Sequence, residues 1–219
     1  MNHRVILFDL DGTLIDSLAD IAAAANAALR RLNQPAHPEA AYRLMVGDGA
    51  DVLLRRALPA DQQHLADEAL ALFRQHYGRH LADQTTLYDG IADLLHALAA
   101  RGVPMAIVTN KPQRAAEQIV AHLLHQWQWV SMDGHREGMA KKPDPTAALA
   151  VARVAGVAPE QCLFVGDSKT DMATAEAAGM CGVGVTWGFR HRDELLAHGA
   201  RHLIDQPHQL LDLLTLQHS

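Results

Sequence analysis

The sequence predicts an α/β fold, a mostly parallel sheet covered on both faces by helices and interrupted by one all-helical block. Three observations carry this. Val5-Ile6-Leu7-Phe8 is an unbroken apolar run of strand-forming residues that stops at Asp9, as expected of a strand buried on both faces. From Gly90 onward short apolar strands alternate with helical patterns, which implies parallel βα units. Between these regions, residues 16 to 83 read as helix after helix with no convincing strand. The expected organisation is therefore a core of residues 1–15 and 84–219 with a small helical cap, residues 16–83, inserted behind the first strand.

Within the block, Ser17 and Asp20 have capping-box spacing, and Leu18, Ile21, Ala25, Ala28 and Leu32 follow at helical intervals. Pro35 and Pro38 end that helix; Glu39 to Val46 predicts a second. Gly47-Asp48-Gly49 interrupts, Ala50 to Leu58 resumes, and Pro59 opens a helix running to about Leu81. In the alternating half, Ile91 to Leu98 predicts a helix closed by Gly102, and Pro104 to Thr109 a buried strand. Pro112 suits a first helical position, and Trp129 to Met132 is a weaker strand. Pro145 to Ala155 is a helix, Leu163 to Val165 a strand, Thr170 to Ala178 a helix and Val183 to Thr186 a strand. Asp193 to His198 and Gln206 to Leu216 are the last helices.

At 219 residues, with 49% apolar and 20% charged residues, the chain can bury a large core as an ordinary globular protein. A formal net charge of −6 offers no nucleic-acid footprint. The first apolar run is too short for a secretory signal and nothing approaches a membrane span, so no membrane association and a cytoplasmic setting are expected. Cys162 and Cys181 make neither a disulfide framework nor a ligand pattern; Cys162 reads as a buried thiol. His122 with His125, and His198 with His202, lack a ligand partner in register and read as surface histidines. Lysines number only four, at 111, 141, 142 and 169.

Function-bearing residues gather at strand ends, where open α/β sheets bind ligands. Asp9 and Asp11 follow the first strand at once, with Gly12 to turn the chain. Two close carboxylates need a cation or a shared proton, which suggests a divalent metal and a carboxylate free for covalent or acid–base work. Thr109 and Asn110 end the second strand with groups that suit an anion. Asp167 and Asp171 end another with oxygen ligands of the kind Mg²⁺ prefers. Lys142, kept from helical geometry by Pro143, can neutralise a phosphoryl group or a nucleophilic aspartate. A nucleophile with an acid, a phosphate site, a cation and metal ligands are what phosphoryl transfer requires.

In that order, Asp9-Leu-Asp11-Gly-Thr13, Thr109-Asn110, Lys142-Pro143 and Gly166-Asp167-Ser-x-x-Asp171 resemble the four motifs of the haloacid dehalogenase superfamily of phosphohydrolases, over nearly the whole chain. Val46-Gly-Asp-Gly-Ala50, Thr109-Asn-Lys-Pro112, Lys142-Pro-Asp-Pro145 and Thr186-Trp-Gly-Phe189 resemble its phosphoglycolate phosphatase branch; Asp89, where proline is commoner, and the 130–140 loop depart from it. The resemblance implies a Rossmann-like core, attack on phosphorus by Asp9, acid–base service by Asp11 and charge neutralisation by Lys142. It further implies Mg²⁺ held by Asp9, the Asp11 carbonyl and Asp167 with Asp171 behind, and phosphate contacts from Thr109 and Asn110. The expected partner is a small phosphorylated metabolite, 2-phosphoglycolate foremost, on a monomer or homodimer. Its carboxylate is expected to meet the Gly47 and Gly49 backbone and the Arg43 guanidinium. Sugar phosphates, pyrophosphate and a sugar phosphomutase activity stand as alternatives. Asp11 argues against a dehalogenase, the lysine-free cap against a phosphonatase, and the intact Asp9–Asp11 pair against a binding module without activity.

Overall fold

A computed structural model describes residues 4–215. Six parallel strands form one sheet in the order β5-β4-β1-β6-β7-β8. They are β1 (Val5–Phe8), β4 (Met105–Pro112), β5 (Met132–His135), β6 (Cys162–Gly166), β7 (Cys181–Val185) and β8 (His202–Ile204). A two-stranded antiparallel ribbon, β2 (Ile15–Asp16) with β3 (Thr86–Leu87), stands where the helical block leaves and rejoins the sheet. The block holds α1 (Leu18–Arg31), α2 (Glu39–Tyr42), α3 (Ala50–Ala57) and α4 (Ala66–His80). Helices α5 (Ile91–Ala100), α6 (Gln113–Leu123), α7 (Thr146–Val154), α8 (Lys169–Ala177), α9 (Arg192–Ala197) and α10 (Leu210–Thr215) cover the sheet.

Strand β1 lies at the centre, paired with β4 and β6, and its side chains alternate between two cores. Ile6 and Phe8 join Met105, Ile107 and Leu163 under α5 and α6, while Val5 and Leu7 join Ala106, Val108 and Phe164 under α7 and α8. A strand sandwiched in this way has no polar face, hence the unbroken apolar run. The helical block has its own core, built from α1, α3 and α4, which Phe189 enters from the sheet side. No helix among the described residues is long and apolar enough to cross a membrane.

Several local expectations are corrected. The Ser17–Asp20 capping box does not form: Ser17 Oγ donates to Asp11 Oδ1 at 2.6 Å and does not cap α1, whose Leu18 amide donates instead to Asp16 Oδ1 at 3.3 Å. Buried Asp20 instead accepts from the Gln84 and Thr85 amides and the Thr85 hydroxyl (2.6 Å), stapling the two ends of the block together. Helix α2 stops at Tyr42 rather than Val46. Pro59 leads into a 3₁₀ turn, Ala60–Leu65, because its own ψ of 152° is extended and the Gln63 side chain donates through Nε2 to the carbonyls of Arg55, Leu58 and Pro59. Strand β4 runs three residues past Thr109, its pairing with β5 resuming at Pro112 after an irregularity. Pro112 is therefore extended and α6 begins at Gln113. Strand β5 starts at Met132, later than expected, although the Val130 amide already donates to the Met105 carbonyl at 2.8 Å and Trp129 packs edge-on against Phe8 at 6.5 Å. The edge strand β8 and the β2–β3 ribbon were not expected. The last helix divides into a 3₁₀ turn, Pro207–Gln209, and α10; the expected end at Leu216 lies outside the described residues.

Candidate active site

The carboxyl ends of β1, β4 and β6 meet at one end of the sheet. Asp9 is held there by its amide, which donates to the Val165 carbonyl at 2.9 Å. Its Oδ1 lies 2.8 Å from Lys142 Nζ, which also reaches Asp171 Oδ1 at 2.7 Å. Asp171 sits in the first turn of α8, where Ser168 donates to it through both its amide and its hydroxyl, the latter at 2.6 Å. Asp167 accepts the Phe189 amide at 2.6 Å. The packing leaves no room for side chains at the turns: a Cβ on Gly12, whose φ is +88°, would lie 2.3 Å from Asp167 Oδ2.

These charges are buried. Burial raises the Asp9 carboxyl to about 6; Lys142 opposes that rise, and the Asp171 and Asp11 charges add to it. Asp167 is pushed well above the ordinary range by burial and then by Asp171 and Asp9. Burial alone would depress the Lys142 ammonium, but the two carboxylates it touches hold it above its usual value. Asp9, Asp167 and Asp171 bring oxygens within 4.8 Å of one another. Three clustered carboxylates, only Asp9 and Asp171 of them paired with Lys142, carry excess negative charge, and an all-oxygen set of this kind fits a hard divalent cation. The Asp11 carboxylate stands apart, its Oδ1 taken by Ser17 and, at 2.8 Å, by Lys111 Nζ.

A cavity of about 540 Å³ opens over Asp9 and Asp11. Thr109 and Lys111 line its core side, and Gly47, Gly49, Phe73 and Tyr77 its other side.

Residues 3–179 match the family model of the haloacid dehalogenase-like hydrolases. The chain belongs to that family. It is 43% identical to a phosphoglycolate phosphatase of Pseudomonas putida, over 95% of this chain and 78% of that protein. It is 35% identical to the phosphoglycolate phosphatase of Escherichia coli, over 99% of this chain and 94% of that one. Among solved structures it resembles a predicted phosphoglycolate phosphatase from Haemophilus somnus, with 31% identity, a TM-score of 0.86, and 97% and 98% of the two chains covered.

Of the residues expected at the site of this haloacid dehalogenase-like hydrolase, the fold gathers Asp9, Asp11, Lys142, Asp167, Asp171, Thr109, Gly47 and Gly49 around the cavity or its carboxylate floor. Asn110 is there too, but its amide is committed within the protein. It donates to the carbonyls of Gly47 and Lys142 and accepts the Lys142 amide at 2.8 Å, so it orients Lys142 rather than offering its side chain to phosphate. Arg43 is not brought in: its guanidinium donates to the Gly188 carbonyl at 3.3 Å and does not line the cavity. Asp48, awkward for an anionic ligand, faces away toward Thr170 and Arg56. Lys111 was missed as a site residue. The signal was its place in Thr109-Asn110-Lys111, at a strand end in a lysine-poor chain.

Proposed function

We propose that this chain is a Mg²⁺-dependent phosphomonoester hydrolase that prefers 2-phosphoglycolate, working as a core of residues 1–15 and 84–219 beneath a cap of residues 16–83. The observation that carries the reading is buried Asp9, paired with Lys142 at 2.8 Å, facing the same cavity as Asp11.

In this reading an Asp9 oxygen attacks phosphorus and the bond from phosphorus to the ester oxygen breaks. Asp11 delivers a proton to the departing alkoxide. Asp11 then takes a proton from water as that water attacks the aspartyl-phosphate, releasing inorganic phosphate and restoring Asp9. Lys142 offsets charge on Asp9 and the phosphoryl group, and Thr109 offers its hydroxyl to a phosphoryl oxygen. Asp9, the Asp11 carbonyl and Asp167, with Asp171 behind, would hold Mg²⁺, whose charge stabilises the phosphoryl oxygens.

The names of the relatives support the substrate, as does the composition of the cap segment, residues 40–58, which is mainly apolar, arginine and glycine. A sugar would call for more hydrogen-bonding side chains. The test is kcat/KM with Mg²⁺ for 2-phosphoglycolate beside sugar phosphates, nucleotides and pyrophosphate, where 2-phosphoglycolate should lead. A sugar phosphate ahead by tenfold, about 1.4 kcal/mol of transition-state binding, would overturn the substrate and leave the chemistry standing.

A further inference from the structure

Lys111 is a buried cation, lining the cavity, that the mechanism above does not use. Its side chain is 3% exposed, and Nζ donates to Asp11 Oδ1 at 2.8 Å and to the Tyr77 hydroxyl oxygen at 2.7 Å. An ammonium carries three N–H donors. The third has no hydrogen-bond partner among the described residues. Tyr77, on α4, accepts from Lys111, so its own O–H hydrogen is also left without an acceptor there. Both residues line the cavity that holds Asp9 and Asp11. Buried donors are ordinarily matched by acceptors. Two unmatched donors, one of them charged, side by side in a ligand cavity suit the two oxygens of a carboxylate.

We infer that Lys111 and Tyr77 form the seat for the carboxylate of the leaving group, and so select phosphate esters of α-hydroxy acids. The inference rests on the hydrolase reading above and deepens it. In such an ester one carbon separates the ester oxygen from the carboxylate carbon, and bonds of about 1.5 Å leave the carboxylate oxygens roughly 3 Å from the ester oxygen. When Asp11 is hydrogen-bonded to that ester oxygen, a group touching Asp11 is within reach of the carboxylate. Of the two such groups, Ser17 and Lys111, Lys111 is the charged one and lines the cavity. Arg74, Arg79 and Arg114 line the same cavity but are exposed, and none contacts Asp9 or Asp11. They suit an anion several atoms farther along a longer substrate. Because Tyr77 comes from the helical block and Lys111 from the sheet, the seat is complete only with the block docked.

The test is the ratio of kcat/KM for 2-phosphoglycolate to that for ethyl phosphate, which has the same carbon count and no carboxylate. It is measured in the wild type, Lys111→Met, Lys111→Arg and Tyr77→Phe. The ratio should fall by about tenfold or more in Lys111→Met, recover in part in Lys111→Arg, and fall by about threefold in Tyr77→Phe, the scale of charged and neutral hydrogen bonds. A wild-type preference that survives in these variants, while both rates drop together, would overturn the inference: the pair would then only position Asp11. No preference in the wild type would overturn the substrate reading and this seat with it. Should Lys111→Met fail to fold by circular dichroism, Tyr77→Phe, which removes one oxygen atom, decides by the same ratio.

Discussion

The two sides of the cavity hold their polar groups by different means. On the sheet side, Asp9 and Asp167 are buried at strand ends, Asp171 in a first helical turn and Lys142 in the turn before α7, and all but Asp167 are tied by charged contacts within that side. The segment from Arg43 to Asp51 on the other side is held largely by side chains reaching across from the sheet. Asn110 takes the Gly47 carbonyl at 3.1 Å, Thr170 reaches Asp48 at 2.8 Å, Arg190 takes the Val46 carbonyl at 2.6 Å and that of Arg43, and Lys141 pairs with Asp51. Each reaching residue neighbours one that shapes the floor: Asn110 follows Thr109, Lys141 precedes Lys142, Thr170 precedes Asp171, and Arg190 follows Phe189, whose amide binds Asp167. In the proposed reading, chemistry resides in the sheet and fit depends on clamps drawn from the same short stretches.

Four substitutions and conditions break or sharpen this contrast. Asp9→Asn should lower turnover of 2-phosphoglycolate by at least about a thousandfold with an unchanged circular dichroism spectrum, because a neutral amide cannot attack phosphorus. Ordinary turnover in that variant would remove the covalent route. Lys142→Met should come next, at about a hundredfold in kcat, with a lowered melting temperature at neutral pH because two buried carboxylates lose their counter-ion. Unchanged stability would mean that those carboxylates are not ionised together. Arg190→Met acts on the other side of the contrast. It should raise KM by about tenfold with kcat changed much less, since it frees the cap segment and leaves the floor intact. A loss confined to kcat would erase the distinction between floor and clamp.

The smallest effect concerns pH in the absence of metal. The Asp9 carboxyl is raised to about 6 in the folded protein, against about 3.9 for a free aspartate. A raised carboxyl contributes stability below the unfolded value and loses it as pH rises through the folded one. Asp9→Asn should therefore match the wild type in melting temperature near pH 4 and exceed it by a few degrees at pH 7, with added Mg²⁺ closing the gap. A gap that narrowed with rising pH in metal-free protein would contradict the burial of that charge.

The sheet was largely legible because its central strands have no polar face. Val5 to Phe8 and Leu163 to Val165 could hardly be anything else, and each is followed within two residues by an acid that the fold places in the site. Edges were less legible. The β5 segment holds Asp133, Gly134 and His135, while Trp129, just before it, packs on the core. Ser17 and Asp20 satisfied a local rule and broke it for tertiary partners, Asp11 and the Gln84–Thr85 amides. Arg43, at the end of α2, and Lys111, on β4, show the same limit in the site: spacing does not reveal which of two cations turns into the cavity.

The Asp20 staple bears on how the sheet assembles. Phe8 pairs beside Ile107 across nearly a hundred residues of chain, a distant contact by sequence. Asp20 and Gln84, 64 positions apart, close off the chain between them, which leaves roughly 35 residues of open chain between the two strand partners. Shortening the effective loop in that proportion lowers its closure entropy cost by about 1 kcal/mol. The helical insertion, which makes the central pairing look remote along the chain, thus carries at its neck the contact that brings β1 and β4 back within reach of each other.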